Sequence, residues 1–599
     1  MAPKKFKWTR NCPGDYNDAE SSNSENDDDH DYRHPDPTAL QLSQETDRKV
    51  AKVILTSLAS WSLLDNEPFV RLCSELLGGT YCVPSRSHIQ EKVVTPMYEQ
   101  TKALIKNELQ KYRNIGLTTD AWCSTTQQIY ITLTAHIIDE YCNLKKYVLD
   151  TTEITQRHTS ANLMEHIDQI LTEYEINTKT ENEHNIIVNF NATNPDDVHE
   201  EYQEEEHEVN YLKNVDKDKV LESESQTQDL IFERDNGSDI TKAFSRIGGY
   251  QQFGCAGRHL NLVAQAGFKE VQPAANLVKK CKQFVEHITS TGSTTYLLID
   301  HQNEFEIPLL KVLQETNAIW WSIFLLMDMI LSNFNEITKT LLPTKTSALT
   351  LTASDKTNMS AILSLLRPFK ECGKLLSSEN DVTISLIVPH FNTLRQHLSP
   401  NASDSKLIEE MKSKMLLKLN DRYSKQEIQS LTVATLLDVR HKNEVKHGFD
   451  QLHSLLLNFV PTQNEIPATE GQELENLSAI MRNKDKSIFS YKDDEVSEDY
   501  EDLILCELNS YKNVKFSASE KENINVLSWW KNNKKEYPHI FELVRSNLHI
   551  PATSVPSQRI ISLAGYIVRD RRSRILSQNV NKAIFLTENA KHIPRVTTV

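Results

Sequence analysis

The chain has 599 residues, a formal net charge of −17, and 39% hydrophobic against 25% charged residues, which is room for roughly three to four average domains or one large domain with insertions. No apolar run approaches the roughly 20 residues of a membrane span, and MAPKKFKWTR lacks the apolar centre of a secretion signal, so a soluble intracellular protein with no membrane partner is expected. Nine cysteines lie singly between Cys12 and Cys506 without a CxxC pair, which argues against a zinc ribbon, a thioredoxin-type site or a disulfide scaffold and fits a reducing compartment.

Two acidic stretches hold the negative charge. Residues 15–46 carry ten acids and one arginine, and residues 181–229 carry fifteen acids and three lysines. Neither has enough apolar residues to offset the entropy of ordering it, so both are expected to be disordered, and the remaining body is slightly positive. After a disordered tail over 1–46, apolar residues recur at helical spacing in VAKVILTSLASWSLL, PFVRLCSELL and VTPMYEQTKALIKNELQKY, which predicts a helical domain over 47–111. From Leu117 the period changes. LTTDAW, YITLTAHIID and KKYVLDTTEI are rich in β-branched and aromatic residues and predict three strands. SANLMEHIDQILTEY, capped by Thr159 or Ser160, is the next predicted helix. Beyond a disordered acidic insertion over 180–229, LIFERD is the predicted fourth strand and SDITKAF a helix. Three strands, a helix and a strand, with an aspartate on the first and fourth strands, make the pattern of a ribonuclease H-like core, assigned to 112–260. Residues 261–461 are almost wholly helical in period, and 462–499 read as a charged linker. Residues 500–599 hold helices around WWKNN, PHIFELVRSNL and QRIISLAG, a basic run RDRRSR and a closing helix NVNKAIFLTEN.

The stretch SWWKNNKKEYPHIFELVRSNLHIPATSVPSQRIISLAGYIVRDRRSRILSQNVNKAIFLTENA resembles the dimerisation region of hAT-family transposases and of the BED-finger proteins derived from them. The shared pattern is a Trp-Trp, a Tyr-Pro, then P-A-S/T-S-x-x-S-E-R-x-F-S-x-A-G and an arginine-rich R-S-R-L. In the family's order, LTTDAWCSTTQQIYITLTAHIID, RDNGSDITKAF, LRPFKECGKLLSSENDVTISLIVPHFNTL and ATLLDVRHKN are similar to further segments. The resemblance implies an α/β plus α fold: a ribonuclease H-like mixed sheet core interrupted by a large all-α insertion, with a C-terminal hAT dimerisation region. It also implies DNA strand cleavage and transfer at two divalent metals held by two aspartates and a glutamate, since hard cations take oxygen ligands. Matched by motif, the aspartates are Asp120 and Asp235, but the glutamate position holds Gln558. An amide carries no negative charge and is a weak ligand, so the resemblance implies a vestigial triad. Asp120 and Asp235 are then at most a weak metal pair, with no cofactor beyond Mg²⁺ or Mn²⁺ should catalysis survive.

Two further departures point the same way. CAGRHLNL puts Arg258 where the family carries the histidine of Cys-x-x-His, with His259 one residue late, and AIWWS keeps Trp320 but replaces an arginine by Ile319. Trp320, Arg559, Arg569, Arg571, Arg572 and Arg574 are candidate nucleic-acid contacts, because arginine offers bidentate geometry to phosphate and tryptophan stacks on bases. Trp529, Trp530, Tyr537, Phe541 and Leu548 are candidate dimerisation residues by the resemblance. The residues alone leave plainer readings open. Asp120 and Asp235 serve equally as turn carboxylates, the arginines as a solvated loop, and the tryptophans as ordinary core. A BED finger would need paired cysteines before its histidines; Cys12, His30 and His34 lack them, so no finger is expected there. The basic PKKFK near the start reads as a short nuclear-localisation stretch. The expectation is a domesticated or decayed hAT transposase-like protein: a nuclear homodimer that binds DNA or chromatin without transposase catalysis and takes no small-molecule substrate. The alternatives are an active transposase, or a dimeric interaction scaffold or transcriptional regulator.

Overall fold

The computed structural model describes residues 37–57, 59–76, 81–112, 114–123, 129–154, 160–176, 185–192, 232–233, 251–290, 320–332, 334, 351–445, 448–458, 500–555, 557, 559–560 and 577–592. The chain divides into two units, residues 1–108 with 563–599 and residues 109–562.

In the first unit, α1 (Pro37–Thr56), α2 (Glu67–Leu76) and α3 (Thr95–Leu109) form where apolar residues recur at helical spacing. α1 begins inside the stretch 1–46 that composition assigned to disorder. Its second half buries Val50, Ala51, Ile54 and Leu55, and a helix nucleated by such packing extends by one turn or more at little further entropic cost. The closing helix Ser577–Glu588 belongs to this same unit. Phe585 meets the Tyr98 ring edge-on at 4.7 Å, and the Thr587 hydroxyl donates to the Leu55 carbonyl at 3.1 Å. The expectation that 500–599 as a whole completes the core is thereby corrected: its end packs with the N-terminal helices.

The second unit contains β1 (Asn114–Cys123), β2 (Ile129–Ile138), β3 (Leu144–Glu153), α4 (Ser160–Glu173), β4 (Asn185–Ala192), β5 (Phe232–Glu233) and β6 (Gln251–Gly254). The strands form one six-stranded sheet in the order β3-β2-β1-β4-β5-β6. β1, β2 and β3 pair as an antiparallel meander, while β4 runs parallel to β1 after the α4 crossover, as a long connection permits. β5 and β6 continue the parallel half. Two strand assignments change. The stretch 180–229 is not disordered throughout, because NIIVNFNA is the fourth strand; its Ile-Ile-Val-Asn-Phe run is β-branched and aromatic enough to compete with the surrounding acids. LIFERD therefore supplies the fifth strand, shortened to Phe232–Glu233. Residues 193–229 lie outside the described residues.

Helices then follow in series: α5 (Ala256–Lys269), α6 (Gln272–Ser290), α7 (Trp320–Ser332), α8 (Ala353–Leu376), α9 (Ile387–His397), α10 (Lys406–Asn420), α11 (Lys425–Leu436) and α12 (Phe449–Asn458). Capping boxes at Thr352 with Asp355 and at Ser424 with Glu427 start α8 and α11 by satisfying exposed backbone N–H groups. The charged stretch 462–499 lies outside the described residues. After it come α13 (Tyr500–Asn513), α14 (Ala518–Asn523), α15 (Val526–Asn533) and α16 (Pro538–Asn547). The apolar stripes of α13, α15 and α16 join those of α5 to α12 in one core that includes Leu260, Phe369, Phe391, Leu436 and Trp530. Among the described residues no helix is long and apolar enough to cross a membrane. Cys82 is disulfide-bonded, whereas Cys73, Cys142, Cys255, Cys281, Cys372 and Cys506 are free thiols.

Candidate functional site

One face of the antiparallel meander is polar although it is buried. Alternation along β1 and β2 puts Thr118 and Asp120 beside Thr134 and Thr132, and Gly116 beside His136. All of these side chains are buried, and Asp120 is only 1% exposed. Thr118 and Thr134 share a hydrogen bond, and His136 Nε2 lies 3.1 Å from both hydroxyls. Thr132 and Thr151 continue the polar row onto β3 at 3.3 Å. Burial, then Lys146 and His549, hold His136 well below its ordinary pKa, so it is a neutral hydrogen-bonding group. The alternation T-x-T-x-H in YITLTAHIID carries this row, and reading it only for strand propensity misses that its polar positions share one covered face.

The cover is the segment P-A-T-S-V-P-S. Ala552 accepts from the Ala256 N–H at 3.0 Å and donates its own N–H to Thr383 Oγ1 at 2.8 Å. Thr553 Oγ1 donates to the Leu376 carbonyl at 3.4 Å, and the Ser554 hydroxyl lies 3.6 Å from the Cys255 sulfur. At the end of the segment, Ser557 Oγ is 3.0 Å from Thr118 Oγ1. The motif thus clasps the start of α5, the end of α8 and β1, with Ser557 bonded to β1 two residues along the strand from Asp120. Gly116 leaves room for His549: a Cβ there would stand 2.7 Å from the His549 ring. His549 Nδ1 pairs with the Arg545 carbonyl at 2.9 Å, and burial pushes its pKa down to about 4.

This clasp falls inside a region with a known match. The hAT family C-terminal dimerisation region matches residues 507–590, and the ZBED1 RNase-like domain matches residues 118–210. The chain is hAT-derived and BED-protein-like. A Zea mays protein that carries the name AC transposase is 20% identical over 563 residues, covering 90% of this chain and 64% of that protein. The human zinc finger BED domain-containing protein 4 is 19% identical over 579 residues, covering 90% of this chain and 43% of its own length. The human zinc finger BED domain-containing protein 6 is 24% identical over 143 residues, which is 24% of this chain. The hAT-type chain therefore spans less than two thirds of the first two relatives.

Of the proposed triad, Asp120 lies on β1 in the buried polar row, whereas Asp235 and Gln558 lie outside the described residues, as do Arg569, Arg571, Arg572 and Arg574. Asp235 follows the end of β5 by two positions, and Gln558 directly follows Ser557. Trp320 opens α7. Arg559 is exposed and pairs with Glu379 at 3.0 Å. The dimerisation candidates need correction as a contact surface. Trp530, Tyr537, Phe541 and Leu548 are buried within the hAT-type chain itself, and Trp529 is half-buried, stacked on Tyr537 at 5.8 Å. Large aromatic side chains at helical spacing are consumed by the interior of one chain.

Of the two departures from the family pattern, the one at Cys255–His259 is set in the interior. Cys255 precedes α5, its thiol pushed up by burial, and His259 faces the edge of Tyr423 at 4.6 Å with its pKa pushed down to about 3 by burial, then by Arg422 and Arg258. ATLLDVRHKN forms a polar hub rather than a reactive site. Asp438, fully buried, accepts from Ser385 Oγ at 2.7 Å and from Arg440 through Nε at 3.0 Å and Nη2 at 2.7 Å. The last carbonyls of α11 are satisfied by side chains from later helices, Tyr511 OH to Leu436 at 2.8 Å and Trp530 Nε1 to Leu437 at 2.9 Å. Lys442 donates to the Tyr511 carbonyl and lies 4.3 Å above the Tyr511 ring, and burial lowers its pKa to about 8.

Proposed function

We propose that this hAT-type chain folds around a ribonuclease H-like core over 112–260, interrupted by the helical insertion 261–461 and rejoined after 500. In this reading it is a nuclear homodimer that binds DNA or chromatin, takes no small-molecule substrate and has lost transposase catalysis. The antiparallel meander followed by parallel strands supports the core assignment. The single observation that carries the functional reading is the Ser557–Thr118 bond, because it brings the S-x-R segment against the strand that holds Asp120. At the residue after Ser557 an active member would offer a carboxylate, and this chain offers the amide of Gln558. Asp120 and Asp235 are the two anionic donors left, and they fall short of the charge that a pair of divalent ions requires. Mg²⁺ or Mn²⁺ would supply charge neutralisation at the attacking and leaving oxygens in an active member; no step is assigned to it in this chain. What the chain's own residues do is hold a rigid, polar, buried face beneath a clasped C-terminal segment.

The test is nicking of supercoiled plasmid DNA with Mg²⁺ or Mn²⁺ by the full chain and by Gln558→Glu. The expected outcome is a silent natural chain and a variant that nicks. Nicking by the natural chain would overturn the reading in favour of an active transposase. A chain that neither nicks nor binds DNA at low salt would be a protein-interaction scaffold instead.

A further inference from the structure

Arg559, Lys146 and Glu379 come from three separate parts of the second unit: the S-x-R segment, β3, and the loop that follows α8. Arg559 Nη1 stands 3.0 Å from Glu379 Oε1, and Lys146 Nζ stands 3.5 Å from Glu379 Oε2. Each carboxylate oxygen thus faces one cation. The Arg559 side chain is 62% exposed, against 22% for Lys146 and 21% for Glu379. Glu379 Oε1 accepts no aligned hydrogen bond among the described residues, so its contact with Arg559 is Coulombic and does not use the guanidinium fork as a donor pair. Lys146 lies opposite His136 in the strand register, at the end of the polar row that runs to Thr118 and Ser557.

We propose that Arg559 and Lys146 form a contact pair for one phosphodiester of duplex DNA, and that Glu379 occupies the pair in the free chain as an internal carboxylate competitor. The inference rests on the DNA-binding reading above and adds to it a site, a lysine and a regulating acid. A phosphodiester offers two anionic oxygens in the arrangement in which Glu379 offers its two, and an arginine fork binds phosphate with two parallel donors where it now makes one unaligned contact. Arg559 is the exposed member, and its single contact with the half-buried Glu379 is unaligned, so exchanging that carboxylate for a phosphate gives up no aligned hydrogen bond of the arginine. DNA binding at this pair therefore has to displace Glu379, which lowers the affinity of the resting chain.

Anisotropy of a labelled 40-base-pair duplex, titrated with the full chain between 50 and 200 mM salt, tests this. The chains compared are the natural one, Glu379→Gln, Glu379→Gln with Arg559→Gln, Lys146→Gln, and Glu410→Gln as a charge-matched control on an exposed face of α10. Glu379→Gln is expected to bind about three- to tenfold more tightly at 50 mM salt and to steepen the log affinity–log salt slope by about one. Glu410→Gln is expected to change affinity less than twofold, about the effect of one remote charge, and Arg559→Gln in the Glu379→Gln background is expected to cancel the gain. Lys146→Gln alone is expected to weaken binding. Binding by the natural chain with Glu379→Gln no tighter than Glu410→Gln overturns the competitor and leaves the DNA-binding reading standing. No binding by any chain at 50 mM overturns both. A fall in melting temperature of Glu379→Gln without a gain in affinity identifies the triad as a structural staple and also overturns the proposal.

Discussion

At the scale of single residues, three histidines are held neutral by burial: His259 at about 3, His549 at about 4, and His136 well below its ordinary value. An unfolded histidine takes its proton near pH 6.5. Between that value and each lowered folded pKa, the unfolded chain binds protons that the folded chain refuses, so stability is full above about pH 6.5 and falls as pH drops. The slope reaches about 1.4 kcal/mol per pH unit for each such group. Urea unfolding followed at pH 7 and pH 5 is expected to show a lower midpoint at pH 5, and His259→Phe, which keeps a ring against Tyr423, is expected to shrink the difference. An unchanged midpoint between the two would mean that these rings are not buried in the folded chain. Gly116 makes a second prediction at this scale. Its replacement by alanine puts a methyl 2.7 Å from the buried His549 ring, and overpacking of that kind costs about 1–3 kcal/mol in a thermal melt.

Among elements, the point of greatest leverage is the end of α11. Asp438, Leu436 and Leu437 gather Ser385, Arg440, Tyr511 and Trp530, so one turn of chain ties α13 and α15 to the turn Ile384–Leu386 that precedes α9. Asp438→Ala leaves a half-buried guanidinium and a buried hydroxyl without their anion, and is expected to destabilise by about 3–5 kcal/mol in chemical denaturation. Ser424→Ala removes only the capping box of α11 and is expected to cost about 1 kcal/mol. Equal losses from the two would sink the hub. The resemblance motif ATLLDVRHKN marked this place without saying why, since Ser385, Tyr511 and Trp530 lie 53 to 93 positions from the groups they bond and were hidden among ordinary polar and aromatic residues. For the strands the reverse holds. β1 to β3 were legible because β-branched residues alternate, while β4 was hidden by the acids around it and β6, four residues long, has no periodicity to read.

For the whole molecule, the hAT dimerisation region suggests a dimer, yet the aromatic residues that first suggest its surface are interior. Trp530 is fully buried and hydrogen-bonded to Leu437. Trp530→Ala is expected to lower stability by about 3–5 kcal/mol, the usual loss for a large core side chain. In sedimentation velocity below its melting temperature, the variant is expected to keep the dimer–monomer equilibrium of the natural chain. Dissociation to a folded monomer would place Trp530 at the subunit contact instead.

The sequence by itself determined the element types in its long periodic segments, the location of the acidic stretches and the hAT resemblance, because helical spacing, β-branched alternation and the P-A-T-S-x-x-S order are local properties. It also determined that glutamine stands at position 558. Only the tertiary structure decided that Ser557 meets Thr118, that Trp530 faces inward, that Ser577–Glu588 returns to the N-terminal helices, and that Glu379 stands between Arg559 and Lys146. Those pairings join residues tens to hundreds of positions apart. They depend on which face each element turns to the core, and no local pattern encodes that choice.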